Sequence, residues 1–227
     1  MTKLAAGRDT HLTRAEIAAE ALRQFDLGPR EPSIRSLAAA LKVAPTGIYH
    51  HFPSITEIYH AAVELVWIEA LTEVFTLVPD LPETDPVDVL VVAGLATRRT
   101  WLAHHRVARH LAATSKSNPF TTIALGVMAD LLERLGLRGE DAAVAWHSYA
   151  SFMIGAVLFA AERLSADEQS ARDRGADNQH RHYADPIDPS VSNGLSIESV
   201  MDLSFDDPAL DEALFERGLR RLIEGFR

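Results

Sequence analysis

The sequence predicts an all-α protein. Apolar residues recur at spacings of three and four along most of the 227 residues, helix-capping residues precede several of these segments, and no run alternates apolar and polar residues as strands do. Helices with one apolar face pack together, and this length is enough for one large domain or two small ones. We expect an N-terminal three-helix unit over residues 1–53 and a larger helical body over residues 54–227.

Three short helices are expected in the N-terminal unit. Thr13 and Glu16 form a capping-box pattern before the first apolar run, and Gly28 with the following proline ends that helix. Ser33 is placed to cap the second helix. A tight turn and a third helix follow over residues 42–51, with proline in the first turn, where its missing N–H costs nothing.

Longer helices are expected in the body. Ser54 and Glu57 make a second capping-box pattern before a helix that runs to about residue 78. Asp85 precedes Pro86 as a cap precedes a first-turn proline. Further helical patterns cover residues 86–104, 105–113, 120–135, 139–164 and 208–226, and the polar, acidic stretch 165–206 is expected to be a flexible loop.

Residues 142–161 carry no formal charge and are long enough to cross a bilayer. Half of them are Ala, Gly or Ser, and His147 and Tyr149 interrupt the apolar run. A helix buried on several sides in a bundle explains this composition better than a membrane span. The segment is too apolar for the surface of a monomer, so it is expected to pair with a second subunit or to be the centre of a single-chain bundle.

Charge is uneven along the chain. The net charge is -10, yet residues 1–60 hold 7 Lys/Arg against 6 Asp/Glu. Only this part could approach a polyanion without repulsion, although an acidic body is also simply soluble. The sequence has no cysteine, which excludes disulfides, thiolate metal sites and cysteine nucleophiles. Phosphate-binding glycine loops and the common hydrolase and metalloprotease motifs are also absent from it, so we expect no enzyme.

The second and third helices have one apolar and one polar side. The outward side holds Arg35, Ser36, Thr46, Gly47, Tyr49 and His50. This is the layout of a helix-turn-helix, whose second helix enters the major groove of DNA. Arg35 could reach a guanine edge, and Thr46 and Gly47 let the backbone come close. Tyr49 and His50 offer donors for phosphates. An ordinary three-helix cluster with solvated polar residues would have the same pattern.

The segment SIRSLAAALKVAPTGIYHHFPSITEIY (residues 33–59) resembles the N-terminal domain of the TetR (tetracycline repressor) family of bacterial transcriptional regulators. The resemblance rests on the Ile-Arg-x-Leu-Ala start, the small turn, and Gly-Ile-Tyr-x-His-Phe before a capped helix. It implies a homodimeric DNA-binding protein, usually a repressor and more rarely an activator, that a small ligand releases. The residues it places at the DNA are Arg35, Thr46, Gly47, Tyr49 and His50, with His51 nearby.

Two positions depart from the family pattern. Lys42 stands where the family usually has glycine, so the turn has to hold a larger residue, with positive φ as one option. Ile55 stands where the family usually has a phosphate-contacting lysine, and the loss of such a contact weakens salt-dependent binding. Lys42 is a candidate to replace it and is therefore counted among the DNA-binding residues.

The later part of the chain resembles the C-terminal domain of tetracycline-repressor-like members. The resemblance covers residues 101–162 and the ending FERGLRRLIEGF (residues 215–226). It implies that the last two long helices form a four-helix bundle with their copies in a second subunit.

A small-molecule pocket is expected in the body. Trp101 and His105 lie four residues apart, as do Arg106 and His110, so each pair shares a helix face. Ligand pockets are mostly apolar with a few polar groups. The predicted lining is Trp101, His105, His110, Phe120, Met128, Trp146, Tyr149 and Phe152. Each of these side chains could equally be plain core.

No metal or other cofactor is expected. Family members that hold a magnesium–drug complex use a histidine in this region, and His110 is the nearest match. Phe159 stands where those members have an acidic residue in the later helix. This difference argues against a metal site and against tetracycline as the ligand.

The sequence therefore predicts a cytoplasmic, homodimeric regulator that binds double-stranded operator DNA and releases it when a small-molecule effector binds, with no role at a membrane. The alternative is an all-helical protein that binds a small molecule or a partner without binding an operator. An all-helical enzyme is the third possibility.

Overall fold

The computed structural model describes residues 12–28, 30–113, 119–174 and 208–226. Every regular element in these ranges is helical, which confirms the predicted all-α class. The helices are α1 (Arg14–Leu27), α2 (Ile34–Leu41), α3 (Pro45–Tyr49), α4 (Ile55–Leu77), α5 (Pro86–Ala103), a 3₁₀ helix (Ala108–Ala113), α6 (Pro119–Arg134), α7 (Gly139–Arg174) and α8 (Pro208–Glu224).

The caps predicted for the first helices are present. The Thr13 hydroxyl accepts from the backbone N–H of Glu16, and the Glu16 carboxylate accepts from the backbone N–H of Thr13 at 2.8 Å. Ser33 caps α2 in the same way, with Ser36 as its reciprocal partner. Ser54 accepts from the backbone N–H of Glu57 and so begins α4, but the Glu57 side chain does not return the bond, so this capping box is only half formed. These bonds satisfy donors that helix N-termini otherwise leave unpaired.

The turn between α2 and α3 depends on Lys42. This residue has φ 56° and ψ 42°, and within the described ranges it is the one non-glycine residue with positive φ. Its N–H and that of Val43 bond back to carbonyl groups in the last turn of α2. The left-handed conformation disfavours a residue with a Cβ, so these bonds and the packing on either side have to hold it.

One buried core joins the N-terminal helices to the body. Phe25, Leu37, Ile48 and Phe52 are buried together, and the same core continues through residues of α4, α5, the 3₁₀ helix and α7. The expected boundary at residues 53–54 is therefore a change of element rather than a gap in packing. α1 and the body therefore pack directly against each other, with no solvent layer between them.

A second core holds α5, α7 and α8 together. Gly94 of α5 lies where these helices approach most closely, because an added Cβ would overlap Leu219 of α8 and lie 3.3 Å from Met153 and Tyr149 of α7. The Tyr149 hydroxyl donates to the carbonyl of Leu90 at 3.0 Å. These contacts make α5, α7 and α8 one tightly packed unit.

α7 is longer than predicted. Residues 165–174, which the sequence analysis assigned to a flexible loop, continue this 36-residue helix. The expectation was wrong there because their Ala, Glu, Gln and Arg residues are strong helix formers, so polarity alone did not indicate a loop. The rest of the expected loop, residues 175–206, lies outside the described residues.

The part of α7 over residues 139–166 is long and apolar enough to cross a membrane by length and composition, with mean hydropathy 1.4. This is weak evidence, since helices at the centre of soluble proteins pass the same test. Large apolar side chains on this helix are nevertheless exposed, among them Val144, Ile154, Phe159 and Leu164. An exposed apolar face of this kind is typical of a surface that another helix covers.

We predict that Gly94→Ala lowers the free energy of unfolding by about 1–3 kcal/mol, because the buried Leu219 has no room to move away from the new methyl group. Urea denaturation measures the change. Gly126→Ala on α6 is the matched control, since a Cβ there meets nothing within 4 Å and should stabilise the helix by up to about 1 kcal/mol. Equal effects of the two substitutions would contradict the close approach at Gly94.

Candidate nucleic-acid interface and ligand cavity

The exposed side of α2 and α3 carries the residues predicted to contact DNA. Arg35, Lys42, Thr46, Tyr49 and His50 are exposed, and Gly47 and His51 are half-buried. We call these seven residues the α3 surface. Tyr49 is 54% exposed although the preceding Ile48 is fully buried, so the helix divides sharply into an inner and an outer side.

The inner side of α3 fixes its orientation. Ile48 and Phe52 are completely buried in the N-terminal core. The Arg14 guanidinium lies 3.9 Å from the centre of the Phe52 ring and donates a hydrogen bond to the backbone carbonyl of His51. α1 therefore holds the C-terminal end of α3, and the polar residues of α3 are left facing solvent.

Gly47 is not required by packing within the chain. A Cβ at this position would meet the side chain of Val43 at 3.8 Å, which is ordinary van der Waals contact. Its φ is not positive, so alanine would adopt the same backbone conformation. Without a side chain here, the backbone of α3 is uncovered on its outer side.

A cavity of about 250 Å³ lies between α4, α5, α6 and α7. Its wall is mainly apolar and includes the aromatic side chains of Trp67, Phe75, Trp146 and Tyr149. Glu64 and Thr97 add polar groups, and Leu111 of the 3₁₀ helix closes one side. Burial raises the pKa of the Tyr149 phenol, which therefore stays protonated. The cavity has the composition of a small-molecule site.

The structure brings three of the predicted pocket residues together and separates four others. Met128, Trp146 and Tyr149 line the cavity, whereas Trp101, His105, His110 and Phe152 do not. Trp101 is buried against Trp67, with ring centres 5.3 Å apart. The ring of Phe152 stacks on that of Phe215 of α8, with ring centres 5.5 Å apart, so Phe152 packs against α8 and not against the cavity. The side chain of Phe120 lies outside the described residues.

Sequence analysis missed the contribution of α4 to the cavity. Glu64, Trp67, Leu71 and Phe75 line one stripe of this helix. Their spacing of three and four is visible in the sequence, where the segment was predicted only to be a helix. A carboxylate inside an otherwise apolar stripe was the signal that could have indicated a site.

A basic segment after α5 contacts the C-terminal end of α1. Arg106 donates to the backbone carbonyls of Phe25 and Asp26 at 3.3 Å and to that of Gly28, and it also pairs with the Glu168 carboxylate of α7. The last carbonyls of a helix carry a partial negative charge and lack intrahelical partners. A guanidinium supplies a positive charge and donates hydrogen bonds to them. The hydrogen bond from Arg106 holds the pKa of Glu168 below its usual value.

Two histidines extend this contact. Nδ1 of His104 lies 3.0 Å from both carboxylate oxygens of Asp26, and its Nε2 lies 3.2 Å from Glu69 of α4. His110 lies 3.1 Å from Glu31, and its ring centre is 4.7 Å from that of Tyr59. We call His104, Arg106 and His110 with these partners the α1 junction.

The α1 junction accounts for two of the displaced pocket residues. His110 faces the aromatic pair Phe25 and Tyr59 rather than the cavity, because the end of α1 packs directly above it. His105 lies 3.3 Å from Glu168, the partner of Arg106. Among the described residues, no group of three potential metal ligands converges here or elsewhere.

The cavity and the α1 junction share a wall. Leu111 lines the cavity and directly follows His110 in the 3₁₀ helix. Val63 of α4 also lines the cavity, and both residues belong to the buried core that contains Phe25 of α1. A ligand that displaces this wall therefore acts on the residues that hold α1.

Comparison with known proteins shows what the chain is similar to. The model of the family described as tetracyclin repressor-like, C-terminal domain, matches residues 78–227. Comparison with curated proteins finds no match.

Solved structures resemble the chain over nearly its whole length. The TetR family protein ActR of Streptomyces coelicolor, in complex with (S)-DNPA, has a TM-score of 0.69 at 23% identity, covering 96% of this chain and 98% of that one. A possible TetR family transcriptional regulator of Streptomyces coelicolor A3(2) has 0.64 at 25% identity, covering 93% and 97%. TetR from Acinetobacter baumannii AYE has 0.65 at 24% identity, covering 95% and 96%.

We predict that Arg106→Lys speeds amide exchange at the end of α1 (residues 24–28) by about tenfold, which is what the loss of one hydrogen bond to a charged group implies. Lysine keeps the charge but lacks the planar fork that reaches several carbonyls and Glu168 together. Hydrogen–deuterium exchange mass spectrometry measures the effect.

Arg109→Lys is the control for this experiment. Its guanidinium is exposed and lies 3.4 Å from Glu31, so its loss should leave exchange in α1 unchanged. If both variants exchange like the wild type, Arg106 does not hold α1.

Proposed function

The chain belongs to the family of regulators with a tetracycline-repressor-like C-terminal domain, and on this premise we propose that it is a ligand-responsive transcriptional repressor. Its α3 surface binds double-stranded operator DNA, and a small molecule in the cavity between α4, α5, α6 and α7 releases the DNA. The observation that carries this proposal is the wall shared by the cavity and the α1 junction. The protein acts in the cytoplasm as a regulator and catalyses no reaction.

DNA contact is assigned to the α3 surface for two reasons. The exposed side chains of Thr46, Tyr49 and His50 suit base edges and phosphates, and Gly47 leaves the backbone accessible. Residues 1–60 are also nearly neutral, whereas the rest of the chain is strongly negative and DNA would repel it.

A second copy of the chain completes the binding unit. The exposed apolar side chains on α7, including Val144 and Phe159, supply a face for a partner helix. In a two-fold dimer, two copies of α3 would enter successive major grooves, about 34–36 Å apart. Dimer geometry therefore sets the spacing that the operator has to match.

Release follows from a change in that spacing. A ligand in the cavity displaces Leu111 or the α4 wall, and the α1 junction passes the displacement to α1 and so to α3. Allosteric coupling of this kind is typically worth about 1–3 kcal/mol. Because the coupling free energy between the two sites is the same in both directions, operator DNA should weaken ligand binding by the same factor by which the ligand weakens DNA binding.

We predict that Gly47→Ala lowers operator affinity at least about tenfold, the effect of one disturbed base contact, while leaving the melting temperature unchanged or higher. Operator sequences are first isolated by selecting random duplexes on the wild-type protein, and affinity is then measured by gel shift. Tyr49→Ala should weaken the same complex.

Gly126→Ala serves as the control for the alanine substitution at Gly47, since it lies on α6 in the body. If neither Gly47→Ala nor Tyr49→Ala changes the affinity for the operator, the assignment of DNA contact to the α3 surface is wrong. A selection that yields no preferred duplex would favour a binding protein without an operator.

We also predict that Ile55→Lys strengthens operator binding and steepens its salt dependence by about 0.9 in the slope of log affinity against log salt. The substitution restores the phosphate-contacting lysine that the family usually has at this position, at the start of α4. Ile123→Lys, at an exposed site on α6, makes the same change in net charge and should leave the slope unaltered. Equal slopes for the two variants would place Ile55 away from the DNA.

A further inference from the structure

Glu64 is the one acidic residue among the described residues that line the cavity. It is half-buried, and its carboxylate makes no hydrogen bond or ion pair with the part of the chain that the structure describes. Two other carboxylates of α4 differ in this respect, because Glu69 lies beside His104 and Glu73 pairs with Arg99. A partly desolvated carboxylate without a partner favours a ligand that brings a positive charge or a donor.

The rest of the wall favours the same charge. Trp67 lies one turn from Glu64, and Trp146 and Tyr149 belong to α7 across the cavity. Aromatic ring faces attract cations through the negative potential of the ring. Of the described residues that line the cavity, none is lysine, arginine or histidine, so an anionic ligand would find no opposite charge.

The polar hydrogens in the wall are few. The Tyr149 hydroxyl already donates to the carbonyl of Leu90. The other side-chain donors among the described lining residues are the Thr97 hydroxyl and the indole N–H groups of Trp67 and Trp146. A ligand with more acceptor groups than these would lose bonds to water without replacing them, which costs binding free energy.

We infer that the cavity takes a small hydrophobic cation, an arylalkyl amine whose ammonium group pairs with Glu64 and whose rings contact the aromatic wall. The volume of about 250 Å³ lies just below the usual range of ligand pockets, which suits two or three rings rather than a larger drug. This inference rests on the proposed function, because it names the chemistry of the effector that would act at that cavity.

Three probes of nearly equal shape test the inference: naphthylmethylammonium, naphthylmethanol and naphthoate. Isothermal titration calorimetry on the full chain without DNA should give a Kd for the cation about tenfold or more below that of the alcohol, with naphthoate weakest. Glu64→Gln should bring the cation and the alcohol within about twofold of each other by weakening the cation alone.

Glu57→Gln is the matched control, because it removes the same charge from an exposed site at the start of α4. It should keep the preference for the cation. Equal affinity of the cation and the alcohol for the wild type, an unchanged preference in Glu64→Gln, or no binding of any probe would overturn the inference. Because no DNA is present, these results are independent of operator binding, and binding of the alcohol without charge preference would leave the proposed function standing.

Discussion

The contact between Arg106 and the C-terminal end of α1 is the interaction on which the two functional regions depend. One guanidinium satisfies carbonyl groups at the end of α1, and Glu168 of α7 balances its charge. Hydrogen bonds to charged groups are worth about 1.5–3 kcal/mol, and this is the range of a typical allosteric coupling free energy. On the proposed function, a coupling free energy of this size is therefore enough for a ligand to shift α1 without unfolding the protein.

The continuity of the core gives this contact its effect. If solvent separated the N-terminal helices from the body, a shift at the α1 junction would be lost in loop motion. Instead Phe25, Val63 and Leu111 belong to one buried core. Packed interiors transmit displacement because they contain few voids. The same packing explains how Lys42 can hold a left-handed conformation, since Leu37, Ile48 and Phe52 are buried on either side of that turn.

Local sequence signals predicted the elements, but they could not predict which residues meet across the fold. The capping pattern at Thr13, the turn at Lys42 and the proline start of α3 depend on neighbouring residues, and all three are present. The cavity depends on distant pairings. Trp101 and Phe152 are aromatic residues of the kind that line ligand pockets. Their ring partners, Trp67 and Phe215, lie on other helices, and the sequence does not show these pairings.

His110 lies away from the cavity for a related reason. Spacing within the chain placed it on a helix face, but the segment is a 3₁₀ helix, and α1 packs above it. The loop predicted from polarity after residue 164 was also wrong for residues 165–174, which continue α7. A tertiary contact with α1 sets the position of His110, and helix propensity extends α7. A pattern of apolar residues indicates neither of these effects.

The two sides of the cavity differ in how freely they can respond to a ligand. α5, α7 and α8 meet at Gly94 with no space for a further methyl group, and Tyr149 ties α7 to α5 through a buried hydrogen bond. Displacing this side would open voids and break that bond, at a cost comparable to a core substitution. α6 lines part of the remaining wall, and the rest consists of α4 and Leu111, which lead directly to α1. A ligand that fills the cavity should therefore move the wall toward the N-terminal helices, because the other wall resists.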